Sequence, residues 1–246
     1  MGFSPKIKIK GVKINNHISK IVFTFAKTIL NNHKIMVKND KRTLNAWYLY
    51  DWANSTYSLT ITAAIFPTYF LTVAINSQGQ SQIDFLIWKS VDSSVLYAYI
   101  YSFASLIIMF LSPFLGALAD YLGRKKMFMR FFCYLGATST MLMFFADSNT
   151  LTLTLILFMI SSICYSISII FYNAYLPEIV TADRLTITSA KGYAMGYLGG
   201  LLMLSFNLTM ISFPTYFGFD EKDILAHLPV QYSFWLLPNS GLIILF

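Results

Sequence analysis

Asp51, Asn54, Ser55, Ser58 and Thr62 fall at offsets of 0, 3, 4, 7 and 11 within AWYLYDWANSTYSLTITAAIFPTYF. On an α-helix these positions share one face. A carboxylate, a carboxamide and three hydroxyls on one face can hold a cation, exchange a proton or hydrogen-bond a polar solute. The setting sharpens the point, because no side chain from Trp52 to Ile83 is charged. A polar face in such a run does not favour lipid. It turns toward protein or a water-filled path, and an ionisable group there is a functional candidate by default. Asp51 suits a bound ammonium group or proton coupling. Asn54 lies deeper and, with Ser55 and Ser58, suits the lining of a cavity. The competing reading of Asp51 is interfacial: one turn inside Trp47, it caps the helix or pairs with Lys41 or Arg42.

A second constellation is GALADYLGRKK, residues 116–126, where one acid and three bases crowd between two uncharged runs. Gly116 and Gly123 bracket Asp120. Arg124, Lys125 and Lys126 follow. A third is a glycine face: Gly192, Gly196 and Gly200, with Gly199 beside them, at a spacing that lets helix backbones approach closely.

The elements that hold these groups are membrane helices. The chain is 56% hydrophobic and 12% charged, against about 25% charged in a soluble domain. Uncharged runs extend from Trp52 to Ile83, Ser93 to Ala119, Phe131 to Ala146, Ser148 to Pro177, Gly192 to Phe219 and Ile224 to Phe246. A helix needs about 20 apolar residues to cross a bilayer, and a lipid-exposed backbone must satisfy its own hydrogen bonds. We therefore expect spans at about Ala46–Ile75, Val95–Ala119, Met127–Ala146, Leu151–Tyr175 and Gly192–Ile211, with a sixth beginning near Tyr232. Pro177 fits the end of the fourth. Lys38, Lys41, Arg42, Arg124, Lys125, Lys126, Arg130, Arg184 and Lys191 fall in alternate gaps, and only Lys89 and Lys222 in the others. Excess Lys and Arg mark cytoplasmic loops, so the N-terminus and GALADYLGRKK are expected on the cytoplasmic side.

The net charge of +7 is carried by residues 1–35, which hold seven lysines and no acid. That segment reads as a basic extension, either an interfacial amphipathic helix or a non-native leader ahead of Met36. It is not a nucleic-acid footprint, which needs a basic face on a folded domain. The chain contains no phosphate-cradling G-x-x-x-x-G-K-[ST] loop, no H-E-x-x-H and no G-x-S-x-G. His17, His33 and His227 lack ligand-spaced neighbours. No enzyme, cofactor or metal is expected, and Cys133 and Cys164 read as buried thiols.

GALADYLGRKK resembles the signature between the second and third helices of the major facilitator superfamily, roughly G-x-x-x-D-x-x-G-R-[KR]-[KR]. Gly116, Asp120, Gly123, Arg124, Lys125 and Lys126 carry the match; Tyr121 stands where that family often has Arg or Lys. With AWYLYDWANSTYSLTITAAIFPTYF, FYNAYLPEI and SAKGYAMGYLGGLL, residues 40–235 resemble its vacuole-effluxer-like branch. The resemblance implies an all-α, polytopic fold, with residues 36–246 forming the N-terminal six-helix half and its last helix incomplete at FWLLPNSGLIILF. It implies a secondary active transporter of small solutes, with amino-acid efflux among the branch's activities and proton coupling one option, present here as a truncated fragment. The alternatives are an inactive six-helix remnant or a half-transporter working as a dimer; the partner is then a C-terminal half or a second copy, in the inner membrane of a bacterium. The resemblance further implies that Asp120 latches onto a helix start in the opposite half, that Arg124 pairs with Glu178, and that the glycine face of helix five meets that half.

Overall fold

A computed structural model describes residues 38–75, 82–85, 88–145 and 150–218. The basic extension and the sixth span lie outside the described residues. The first helical rod begins as α1, Lys41–Thr56. Asp40 caps it, accepting hydrogen bonds from the Thr43 N–H at 2.9 Å and the Thr43 hydroxyl at 2.8 Å, which satisfies an otherwise orphan donor of the first turn. The rod continues as a π-helical stretch, Tyr57–Ile65, and resumes as α2, Phe66–Val73. The switch has a local cause. Thr56 Oγ1 donates to Trp52 O at 3.0 Å and Ser58 Oγ to Ser55 O at 3.1 Å, so side chains compete for the carbonyls of the helical ladder. Pro67, at the start of α2, supplies no N–H to that ladder.

A feature not expected from the sequence follows. Gln82–Phe85 (β1) and Trp88–Asp92 (β2) form an antiparallel hairpin. Ile83 and Phe85 point inward while Gln82 and Asp84 face out, the period-2 alternation of a half-buried strand. Next come α3 (Ser93–Leu122), α4 (Lys125–Leu142), α5 (Leu151–Ile179) and α6 (Leu185–Ser212). Among the described residues four helical segments are long and apolar enough to cross a membrane: Ser93–Leu122, Lys125–Phe145, Leu151–Ile179 and Ala182–Ser212. The 30 residues of α3 reach about 45 Å, more than a bilayer core of roughly 30 Å. This is an all-α membrane protein with one small hairpin. Pro177 does not end α5 but sits in its last turn, two residues before Ile179.

The core divides along the bundle. Near the hairpin, Ile61, Phe66, Phe70, Leu96, Leu155 and Phe158 form one buried apolar cluster, with Ile83 and Phe85 sealing it. Phe66 and Phe158 stack with ring centroids 3.9 Å apart. Toward the basic end, Trp47, Tyr50, Ala119, Ile167, Phe171 and Tyr172 form a second, in which Trp47 stacks on Tyr172 at 4.3 Å. Between them α1, α4 and α5 bring polar side chains together. α1 packs chiefly on α6, and α5 on α4 and α3. Small residues make these approaches possible, as is usual between membrane helices: a Cβ at Gly136 of α4 would meet Cys164 Cβ of α5 at 3.0 Å. Both cysteines are free thiols.

Candidate functional site

The polar face of the first rod is divided between two neighbours. Asn54 turns, with Tyr50 and Tyr57, toward α4 and α5. There it lines a cavity of about 60 Å³ together with Cys133, Gly136, Thr140, Ser161, Tyr165 and Ser168. A water needs at least 10–15 Å³ measured this way, so the space admits a few waters or one small polar group. Its walls are cross-linked by hydroxyls. Ser161 donates to Tyr57 Oη at 2.7 Å and lies 2.7 Å from Thr140 Oγ1, which donates to Gly136 O at 3.0 Å. Tyr57 also reaches Ser162 Oγ at 3.3 Å, and the Tyr50 and Ser168 hydroxyls hydrogen-bond to each other. One lining group is left over. The Asn54 Nδ2 donor is buried and has no hydrogen-bond partner, although buried polar groups are nearly always paired.

Asp51 and Ser55 turn instead toward α6. A Cβ placed on Gly196 would stand 2.8 Å from Asp51 Oδ2 and 2.5 Å from Ser55 Oγ. Gly192 lies against the Trp47 ring and 3.1 Å, measured the same way, from Tyr172 Oη; Gly199 lies against the Trp52 ring; Gly200 meets Leu59 Cδ2 at 3.1 Å. The four glycines are therefore a bed for α1, and the face expected to meet an opposite half is occupied within this chain. Asp51 is 5% exposed. Among the described residues no lysine or arginine pairs with it, so the interfacial pairing with Lys41 or Arg42 is absent from this structure. Tyr172 Oη, against Gly192, is buried without a partner. Ser58 donates to the Ser55 carbonyl at 3.1 Å.

The GALADYLGRKK turn closes α3 through Gly123, whose φ of 60° is the left-handed conformation that glycine adopts without strain. Arg124 N–H donates to Ala119 O and Gly123 N–H to Asp120 O, both at 3.2 Å, the paired bonds of a Schellman motif. Lys125 is the hub. Its Nζ lies 2.7 Å from Asp120 Oδ1 and 2.9 Å from Glu178 Oε1, and donates to Ala174 O at 3.3 Å. The expected Arg124–Glu178 pair is not formed. Arg124 stands just before α4, whereas Lys125 sits in its first turn, and helical side chains lean back toward the N-terminus, here toward Asp120. Lys126 is exposed. Gly116 has no atom within 4 Å of the position a Cβ would take, so among the described residues no close approach calls for a glycine there.

The last turn of α5 is tied to the start of α1 as well. Lys38 Nζ donates to Pro177 O at 3.1 Å and Asn39 N–H to Ile179 O at 2.8 Å. Asn39 Nδ2 donates to Thr181 Oγ1 at 2.9 Å while Asn39 Oδ1 accepts from Thr181 N–H at 3.2 Å. Donors and an ammonium group at a helix C-terminus satisfy its orphan carbonyls and its negative dipole end.

Sequence reasoning missed half of the polar layer. Ser161, Tyr165, Ser168 and Tyr172 repeat at offsets of 0, 4, 7 and 11, nearly the spacing noticed in the first helix. Read together, the two stripes would have identified facing helices. No group of three or more His, Cys, Asp or Glu side chains among the described residues could hold a metal ion.

Comparison with known proteins bears on what such a bundle is for. The profile of the family described as vacuole effluxer Atg22 like matches residues 39–218. The uncharacterized MFS-type transporter YxiO of Bacillus subtilis (strain 168) is 34% identical over 176 residues, covering 72% of this chain. The chain spans 39% of the length of that relative. No solved structure matches.

Proposed function

Because this chain belongs to the vacuole-effluxer-like family of major facilitator transporters, we propose that it forms one six-helix half of a secondary active transporter of small polar solutes. Its N-terminus lies on the cytoplasmic side of a bacterial inner membrane. The observation that carries the reading is Asn54: its amide donor is buried without a partner, on a residue that lines a cavity between two apolar clusters. An unpaired buried donor costs about 1–3 kcal/mol. A fold that only needed packing would gain by replacing it. Retaining it makes sense where a solute or water bonds to it during part of a cycle. Asp51 then serves as the ionisable group beside the path, in proton coupling or in holding an ammonium group, amino acids being one solute class that offers one. Alternating access rocks one half against another around a midplane site. The second surface is supplied by a C-terminal half or by a second copy of this chain.

The test uses the full chain in proteoliposomes, with accumulation of labelled amino acids and other small polar solutes driven by an imposed pH gradient. Asn54→Leu is expected to lower transport at least tenfold while raising thermal stability by about 1 kcal/mol. Asp51→Asn is expected to remove the dependence on the gradient. Failure of the unaltered chain to move any solute, alone or with a separately expressed C-terminal half of a relative, would favour the second reading, an inactive six-helix remnant.

A further inference from the structure

The bases at one end of the bundle are not equivalent. Lys125 is neutralised by Asp120 and Glu178. Among the described residues no carboxylate pairs with Lys126 or Arg130. These two stand one turn apart on α4 and close enough for Arg130 to repel Lys126. Like charges at this spacing destabilise a helix unless something negative sits between them. Met127 and Phe131, 49% and 58% exposed, follow each base by one residue and also stand one turn apart. A pair of bases thus runs beside a pair of apolar side chains, at the end of a segment long and apolar enough to enter a bilayer.

We propose that Lys126 and Arg130 form a site for an anionic phospholipid, with the headgroup phosphate between the two bases and an acyl chain along Met127 and Phe131. The phosphate supplies the missing negative charge; Arg donates to two phosphate oxygens in a fork and Lys adds a point charge. Basic groups at a membrane surface gain from anionic headgroups. A soluble phosphate would meet the bases but leave Met127 and Phe131 without a role, so the occupant is the lipid.

The full chain, purified in a neutral detergent, is titrated with phosphatidylglycerol or phosphatidylcholine and bound lipid is counted by native mass spectrometry. Phosphatidylglycerol is expected to bind at least tenfold tighter. K126Q/R130Q should remove that preference, K126R/R130K should keep it, and K41Q/R42Q, with the same charge loss at the same end, should stay within twofold of the unaltered chain. The charge-retaining swap guards against loss of fold as the cause. Equal binding of the two lipids by the unaltered chain overturns the proposal. So does an equal loss in both glutamine pairs, which would indicate diffuse surface charge. Displacement of the lipid by millimolar inorganic phosphate would make the site one for soluble anions and overturn it too.

Discussion

One chemical change, glycine to alanine, should act with opposite sign at two positions of this bundle. In an exposed helix the change gains about 0.8–1.0 kcal/mol of helix propensity. At Gly116 nothing lies within 4 Å of the added methyl, so Gly116→Ala should keep that gain. At Gly196 the methyl would stand 2.8 Å from Asp51 Oδ2 and 2.5 Å from Ser55 Oγ, well inside contact distance. Overpacking of this kind costs about 1–3 kcal/mol. It also displaces a buried carboxylate, so the propensity gain is offset or exceeded. The two variants should differ by about 1–3 kcal/mol, or roughly 2–12 °C in Tm for a chain of this size. Thermal unfolding in detergent, followed by tryptophan fluorescence, reads this directly because Trp47 and Trp52 border the same seam. Ser55→Ala removes the nearest atom. Added to Gly196→Ala it should recover at least about 0.5 kcal/mol beyond additivity. Equal shifts at positions 116 and 196, or no coupling with Ser55, would refute the claim that α6 is a glycine bed for α1.

Replacing the hub of the turn should likewise separate two neighbouring bases. Lys125→Met strands both Asp120 and Glu178, whose side chains are 64% and 41% exposed, so the loss is limited to about 1 kcal/mol and shrinks in high salt. Arg124→Met should change stability by less than about 0.5 kcal/mol; the reverse ranking in salt-dependent unfolding would restore the pairing expected from the resemblance. Within the polar layer, Ser161→Ala removes the hydroxyl shared by Tyr57 and Thr140 and should cost about 1–2 kcal/mol in the same assay. Ser162→Ala, which loses only a 3.3 Å contact, should cost less, and equal losses would count against the network.

The helices α3 to α6 were readable because each follows from an uncharged run bounded by charges, and the hydrophobic requirement of a bilayer leaves little freedom there. The neighbours of each face were not. Asp51, Asn54 and Ser55 occupy one arc of the first helix, and periodicity groups them. Tertiary packing separates them, because the boundary between the α5 and α6 contacts runs through that arc. The choice of Lys125 over Arg124 depends on one residue of offset across a helix start, finer than any motif resolves. The π-helical stretch arises from hydroxyl competition and a missing proline N–H, each weak alone. The hairpin was visible in the alternation of Gln82, Ile83, Asp84 and Phe85, but four residues between two long apolar runs are easily passed over.

Asn39 and Lys38 join the start of the first helix to residues 177–181, and this bears on the order of assembly in the cell. The partners are about 140 positions apart in sequence. At a synthesis rate of roughly 5–20 residues per second, Thr181 is made on the order of ten seconds or more after Asn39. During that interval the first helix can form but cannot lock its leading turn. The knot is tied from the far side, when the fourth helix delivers its last carbonyls. A ribosome stalled before residue 181 should therefore leave the segment at Asn39 open to proteolysis, and one stalled well beyond it should not.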